Sequence, residues 1–285
     1  MTVRIAVLGD IVGAPGRLAL AQQIDALHER WSVDLILANA ENCANGSGLT
    51  PQLYRKLCDA GVDGMTLGDH VYKKKQIVSV LEQQANIIRP ANLSGQAIGQ
   101  GHMKLTTKSG IDVYIITLLG RLFMPIPAND PFDCVHQILA KLPKTGAIVL
   151  VEIHAEASSE KVALGWFLNG RATCVFGTHT HVATADARIL PAPGSDPTLP
   201  QMGSRTGTAY ITDIGMTGAM DSVLGRRADR VVTQMTTSIP TPFDVAEINP
   251  RVNGIVLKAD VESGRAISIE RIELAADPTK PPFVA

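Results

Sequence analysis

No CxxC pair occurs anywhere in the 285 residues. The four cysteines, Cys43, Cys58, Cys134 and Cys174, stand far apart, which excludes a zinc ribbon or a dithiol redox motif and leaves reduced thiols as the simplest reading. An excess of charge of one sign is missing too. Lys and Arg number 26 against 27 Asp and Glu, a formal net charge of -1, so no bulk field marks a nucleic-acid or membrane-surface binder. No apolar run approaches the roughly 20 residues that cross a bilayer. The stretch from Val3 to Leu8 is too short for a signal segment and leads to Asp10 rather than to a cleavage site. Internal repeats and low-complexity segments are also absent. These absences predict a soluble, cytoplasmic protein without a membrane partner.

What the sequence does have is apolar residues, 45% of the total, enough for a substantial core. Short β-branched runs alternate with amphipathic stretches: a strand over Val3 to Leu8, a helix over about Arg17 to Trp31, a strand over Asp34 to Ala38 and a helix over Pro51 to Ala60. Thr50 is placed to cap the second helix, Pro51 presets its first φ, and Gly61 marks its end. Further strands are expected at Gly64 to Leu67, Asp112 to Leu118, Ala147 to Ile153, Thr173 to Gly177 and Thr208 to Thr212, with a helix at about Ser159 to Leu168. Gly254 to Val261 and Ala266 to Leu274 read as a hairpin, so the α/β fold carries a mixed sheet. Pro191 to Gly207, rich in proline and glycine, reads as an exposed loop within one domain spanning residues 1–285.

Polar, metal-capable residues recur where these strands run out: Asp10, Glu41-Asn42, Asp69-His70, His154, and His179 with His181. In open α/β sheets, residues beyond the carboxyl ends of strands converge on one site although they are distant in sequence. The segment Gly177-Thr178-His179-Thr180-His181 is the most specific of these, because imidazoles at i and i+2 in extended chain project to the same side. Glu41, following the apolar Leu35-Ile36-Leu37-Ala38, is the best candidate for a carboxylate bridging two ions. Oxygen and imidazole donors without thiolate suit Mn, Fe or Zn in a reaction centre rather than a structural zinc site.

An ordered set of blocks runs from residue 9 to 218. It comprises Gly9-Asp10-Ile11-Val12-Gly13 with Gly16-Arg17, Asn39-Ala40-Glu41-Asn42, Gly68-Asp69-His70, Arg89-Pro90-Ala91-Asn92, His154-Ala155-Glu156 with Ser159-Glu160-Lys161, Gly177 to His181 with Thr184-Ala185-Asp186, and Thr212 to Gly218. With these blocks the chain resembles the calcineurin-like metallophosphoesterase superfamily and, within it, the bacterial YmdB-like family. The resemblance implies a four-layer α/β/β/α sandwich with two mixed β-sheets, a homo-oligomer, and hydrolysis of 2′,3′-cyclic nucleotides and related phosphodiesters, RNA ends included. It further implies two divalent or trivalent transition-metal ions, Fe or Mn first and Zn third. Asp10, Glu41, Asn42 and His181 would hold one, and Glu41, Asp69, His154 and His179 the other.

Two departures from the family pattern stand out. Gly68-Asp69-His70 replaces the usual Gly-Asn-His, exchanging an amide ligand for a carboxylate that binds metal more strongly but, ionised, cannot donate to phosphate. Tyr72 and Lys73 stand where the family favours Trp and Asp; Lys73 to Lys75 otherwise read as a solvated helix face. The reaction implied is in-line attack on phosphorus by a hydroxide shared between the ions, giving the 3′-monophosphate, with His70 as the catalytic group that protonates the leaving alkoxide. The alternatives are a metal-bound regulatory or scaffold protein with little turnover, and a phosphomonoesterase or nuclease with the same site. His28, His102 and His136 read as structural, Cys43 as a small buried hydrophobe, and Arg89 and Asn92 as holding a loop near the site. Glu156 and Glu160 read as helix-dipole carboxylates, and Asp213 to Gly218 as a turn fixed by two glycines.

Overall fold

A computed structural model of the chain describes residues 1–143, 146–192, 194–200, 203, 207–277 and 279. The elements alternate as the patterning predicts. β1 (Thr2–Leu8), β2 (Asp10–Ile11), α1 (Gly13–Trp31), β3 (Leu35–Asn39), α2 (Pro51–Asp59) and β4 (Gly64–Thr66) come first. A 3-10 turn at Lys75–Ile77 leads into α3 (Val78–Gln83), followed by β5 (Ile87–Ile88), β6 (His102–Thr106), β7 (Asp112–Leu119), α4 (Pro131–Leu139), β8 (Ile148–His154), α5 (Ser158–Leu168) and β9 (Cys174–Thr178). The remainder is β10 (Arg188–Ile189), β11 (Ala209–Ile211), β12 (Met216–Ala219), α6 (Ala228–Thr237), β13 (Pro250–Asp260) and β14 (Ala266–Ala275).

One sheet runs β2-β12-β13-β1-β3-β4-β5, with β14 also paired to β13; the other runs β10-β11-β9-β8-β7-β6. Both are mixed. β1, β3, β4 and β5 are parallel and β13 joins β1 antiparallel, while β7, β8, β9 and β11 are parallel and are flanked by antiparallel β6 and β10. Along β1, Val3, Ile5 and Val7 meet Val113, Ile115, Leu150 and Phe176 of the second sheet, whereas Ala6 and Leu8 turn the other way, to Leu20, Ile24 and Leu27 of α1. The outer face of the second sheet packs Val149, Val151 and Val175 against Val135 of α4 and Leu164 and Leu168 of α5. The result is the expected α/β/β/α sandwich. Its central strands are buried on both faces, which is why they read as continuous apolar runs.

Local signals behave as physical chemistry requires. Thr50 Oγ1 accepts the amide proton of Leu53 (3.3 Å), a cap worth about 1 kcal/mol, and Gly61 follows α2 at φ +105°. The first helix begins at Gly13 rather than near Arg17. Gly13-Ala14-Pro15-Gly16 resembles loop by composition, yet amides of a first turn need no helical acceptor, so Pro15 loses no hydrogen bond there. Val12 N and Gly13 N instead bond to Thr217 O and Asn42 O (2.8 and 3.0 Å).

The block Asp213 to Gly218 is half turn and half strand. Gly215 adopts φ +79°, and β12 then pairs in parallel with β2 at Met216 and Asp10. In the predicted loop 191–207, residues 194–200 are exposed or half-exposed; 193, 201, 202 and 204–206 lie outside the described residues. Among the described residues no helix is long and apolar enough to cross a membrane.

Candidate metal centre

The parallel strands of both sheets deliver their carboxyl ends to one edge, and the predicted polar residues follow those ends. Asp10 comes after β1, Glu41 and Asn42 after β3, Asp69 and His70 after β4, His154 closes β8, and His179 and His181 follow β9. The convergence is close. His154 Nε2 lies 3.0 Å from Asp69 Oδ1, 3.2 Å from Glu41 Oε1 and 3.1 Å from His179 Nδ1, and Asp69 Oδ1 is 3.3 Å from His179 Nδ1. Ligand atoms of Glu41, Asp69, His154 and His179 all fall within 4.8 Å of one another. Beside them, Asn42 Nδ2 lies 3.3 Å from His181 Nε2 and 3.4 Å from Asp10 Oδ1, and His181 Nε2 is 3.7 Å from Asp10 Oδ1. Glu41 Oε1, 3.4 Å from Asn42 Nδ2, touches both groups.

This packing fits a cation better than hydrogen bonds alone. One imidazole nitrogen carries at most one proton, yet His154 Nε2 faces two carboxylate oxygens and another ring nitrogen. Metal bonds of 2.0–2.2 Å put neighbouring donors of one ion roughly 3 Å apart, the spacing seen here.

The second nitrogen of each ring is held elsewhere. His154 Nδ1 meets Thr178 Oγ1 (2.8 Å), His179 Nε2 meets Glu156 Oε2 (3.3 Å) and His181 Nδ1 meets Leu224 O (3.0 Å). Such contacts fix the tautomer, leaving the inward nitrogen free to bind an ion. Electrostatics agree. Burial opposes charge at Asp10 and Asp69, but hydrogen bonds and charge from His181 at the first, and from His154 and His179 at the second, hold both below the usual carboxylate range. Burial likewise opposes charge on His154 and His181, and the neighbouring carboxylates outweigh it, Glu41 with Asp69 at His154 and Asp10 at His181, so both pKa values are raised. The carboxylates thus draw protons onto the rings, and an ion would displace those protons.

Several supports escaped sequence reading. Thr178 Oγ1 donates to Glu152 Oε1 (2.6 Å), a fully buried carboxylate that also accepts from Asn39 Nδ2 (2.8 Å) and Thr117 Oγ1 (3.0 Å). Burial, its largest influence, raises the Glu152 pKa. The available signal was a glutamate inside the apolar run Ile148 to Ile153. Thr178→Val keeps the shape but removes the acceptor for His154 Nδ1. It is expected to weaken metal binding about 10- to 100-fold, measured by competition with a chelating dye.

The premise about His179 and His181 needs correction. They are not in extended chain: both have positive φ, +89° and +64°. Such non-glycine backbone costs on the order of 1–3 kcal/mol per residue and needs outside restraint. Here the restraints are His179 N to Asp10 Oδ2 (3.3 Å) and Thr180 N and Oγ1 to Asp213 Oδ2 (3.3 and 2.6 Å). Asp213 is itself paired with buried Lys161 Nζ at 2.7 Å. Gly68 has a steric reason to be glycine, because a Cβ there would collide with the His154 ring.

Other assignments sort simply. Glu156 precedes α5 and faces the site through His179, so its role is not that of a helix-dipole carboxylate. Glu160 lies in the first turn of α5, and its carboxylate accepts from the amides of Arg121 and Leu122 (3.0 Å each). Arg89 and Asn92 hold backbone, Arg89 at Pro90 O and Ala97 O, Asn92 at Leu119 O and Asn129 O. Cys43 is fully buried, which pushes its thiol up to about 12. Lys73 to Lys75 do not line the cleft, of about 400 Å³, that opens onto the centre; Glu41, Asn42, His70, Glu156, His181 and Arg226 do.

Comparison with known proteins places this geometry. A family model described as YmdB-like protein matches residues 6–272. A 2′,3′-cyclic-nucleotide 2′-phosphodiesterase of Bacillus subtilis (strain 168) is 38% identical over 275 residues, 96% of this chain and 98% of that protein. A hypothetical protein from Thermus thermophilus, known by crystal structure, is similar with a TM-score of 0.84 at 36% identity, covering 96% of this chain and all (100%) of that one. A novel phosphatase from Mycoplasma pneumoniae is similar with a TM-score of 0.86 at 30% identity, covering 97% of this chain and 95% of that one. Because the family match extends over both sheets and every residue gathered at their edge, the chain belongs to the YmdB-like family.

Proposed function

We propose that the chain is a dinuclear-metal phosphodiesterase that opens 2′,3′-cyclic nucleotides, or the cyclic phosphate of an RNA end, to the 3′-monophosphate. The observation that carries this reading is Glu41 Oε1, which lies 3.2 Å from His154 Nε2 and 3.4 Å from Asn42 Nδ2 and so belongs to both halves of the donor set. In this reading Asp10, Glu41, Asn42 and His181 hold one ion, and Glu41, Asp69, His154 and His179 hold the other. Oxygen and imidazole donors fit iron or manganese first and zinc third. Such a pair, when bound, supplies Lewis acidity: it lowers the pKa of water and offsets charge on phosphoryl oxygens.

The chain's own residues do the rest. His70 is tied to the centre by its amide, which donates to Glu41 Oε2 (2.9 Å), and by Nδ1, 2.8 Å from Asn42 Oδ1. To hold an ion, Asn42 would have to turn its amide over so that the oxygen stands where Nδ2 now lies, which would present its NH₂ group to His70. His70 Nδ1 would then accept, which would put the ring proton on Nε2. Asp69 Oδ2, 3.6 Å from Nε2, orients that edge of the ring. With 28% of its side chain exposed in the cleft, His70 is placed to donate a hydrogen bond from Nε2–H to the departing 2′ oxygen and stabilise the charge developing there, while solvent supplies the proton. His70→Ala is expected to lower kcat on 2′,3′-cyclic AMP roughly 10²- to 10³-fold while metal content holds. Full turnover in that variant would contradict the assignment.

A further inference from the structure

The proposed centre is equally suited to a phosphodiester and a phosphomonoester, and the relatives include proteins named for each activity. The cleft above it is not neutral on this point. Glu156 projects into it with 53% of its side chain exposed, one oxygen 3.3 Å from His179 Nε2. Its backbone is fixed on the other side, where Glu156 N bonds to Met124 Sδ (3.3 Å). A half-solvated carboxylate is thus held at the mouth of a site expected to receive an anion.

Among the described residues, no lysine or arginine presents a free cation to it. Among the described residues lining this cleft, Arg226 is the sole lysine or arginine. Its guanidinium is turned to backbone: Nη1 donates to Asn45 O (3.2 Å) and Phe243 O (3.0 Å), and Nη2 donates to Gly46 O. Arg226 therefore staples two loops rather than presenting a fork to phosphate.

We propose that Glu156 selects phosphodiesters against phosphomonoesters by charge. This rests on the phosphodiesterase reading and names the substrate class within it. A diester carries one negative charge, whereas a monoester carries about 1.5 to 2 at neutral pH because its second pKa is about 6. The two ions would face both substrates alike, so the additional charge falls beside a carboxylate without a lysine or arginine to offset it. At the effective dielectric of a surface cleft, one such charge a few ångströms away weighs on binding by about tenfold or more. The 3′-monophosphate product would meet the same repulsion, so Glu156 also hastens its release.

The test compares the Mn-loaded native protein with Glu156→Gln and Glu156→Asp. The readouts are kcat/KM for bis(p-nitrophenyl) phosphate and p-nitrophenyl phosphate, calorimetric affinity for 3′-AMP, and metal content. Glu156→Gln is expected to lower the diester-to-monoester ratio about tenfold and to tighten 3′-AMP by a similar factor, about 1.4 kcal/mol. Glu156→Asp, which keeps the charge, is expected to restore most of both. If Glu156→Gln depresses both substrates alike and leaves the ratio and 3′-AMP affinity within about twofold, Glu156 is only a prop for His179 and the proposal falls. If the native protein turns over the monoester but no diester, the phosphodiesterase reading itself fails.

Discussion

Glu41→Gln is expected to abolish paired metal binding and to lower kcat/KM by roughly three orders of magnitude, about 4 kcal/mol. The side chain is fully committed: Oε2 accepts the His70 amide at 2.9 Å while Oε1 lies within 3.4 Å of donors from both halves of the centre. An amide cannot serve both sides. With its NH₂ group toward the centre it opposes a cation; turned over, it meets the His70 N–H. The fold should survive, because Glu41 sits beyond the end of β3, outside the strand ladder. Elemental analysis and unfolding measured together check this: metal per chain and activity fall while the unfolding midpoint without metal stays put. A variant that retained both ions and turnover would refute the bridging role.

The largest effect on stability is expected from Lys161→Met. Lys161 Nζ pairs with Asp213 Oδ2 at 2.7 Å, both side chains about 1% exposed. Methionine fills the space and leaves a buried carboxylate short of its cation, a loss of about 3–5 kcal/mol in denaturant unfolding. Replacing both partners, with Asp213→Asn added, should recover part of it, since the penalty lies in the unpaired charge. Activity should suffer as well, because Asp213 restrains Thr180 between His179 and His181, whose left-handed backbone needs holding. A loss under about 1 kcal/mol would show that water or protonation compensates the carboxylate.

Much of this architecture was legible in residue order because the decisive strands are buried on both faces. β1, β3, β8 and β9 announce themselves as apolar runs, and Asp10, Glu41, His154 and His179 stand where those runs stop. What stayed hidden depends on partners far along the chain. Thr117 and Glu152 are neighbours only through the β7–β8 register, and Lys161 finds Asp213 across 52 residues. Glu156 looked like a helix-start carboxylate because its contact with His179 exists only once β9 lies beside β8. The first turn of α1 is illegible for a local reason, since glycine and proline there obey first-turn rules rather than helix-interior propensity. The i and i+2 spacing marks the histidine pair in the sequence, but extended chain is not what aims it: tertiary restraint imposes the left-handed backbone that turns both rings inward.

The central claim is that these strand ends form one centre for two ions around Glu41. Anomalous diffraction at the Mn edge, from crystals of Mn-loaded protein, tests it most directly. Two peaks are expected, one among Asp10, Asn42 and His181 and the other among Asp69, His154 and His179, both in contact with Glu41. A hydrolytically active protein with no peak at this edge, or with its ion held elsewhere, would contradict it.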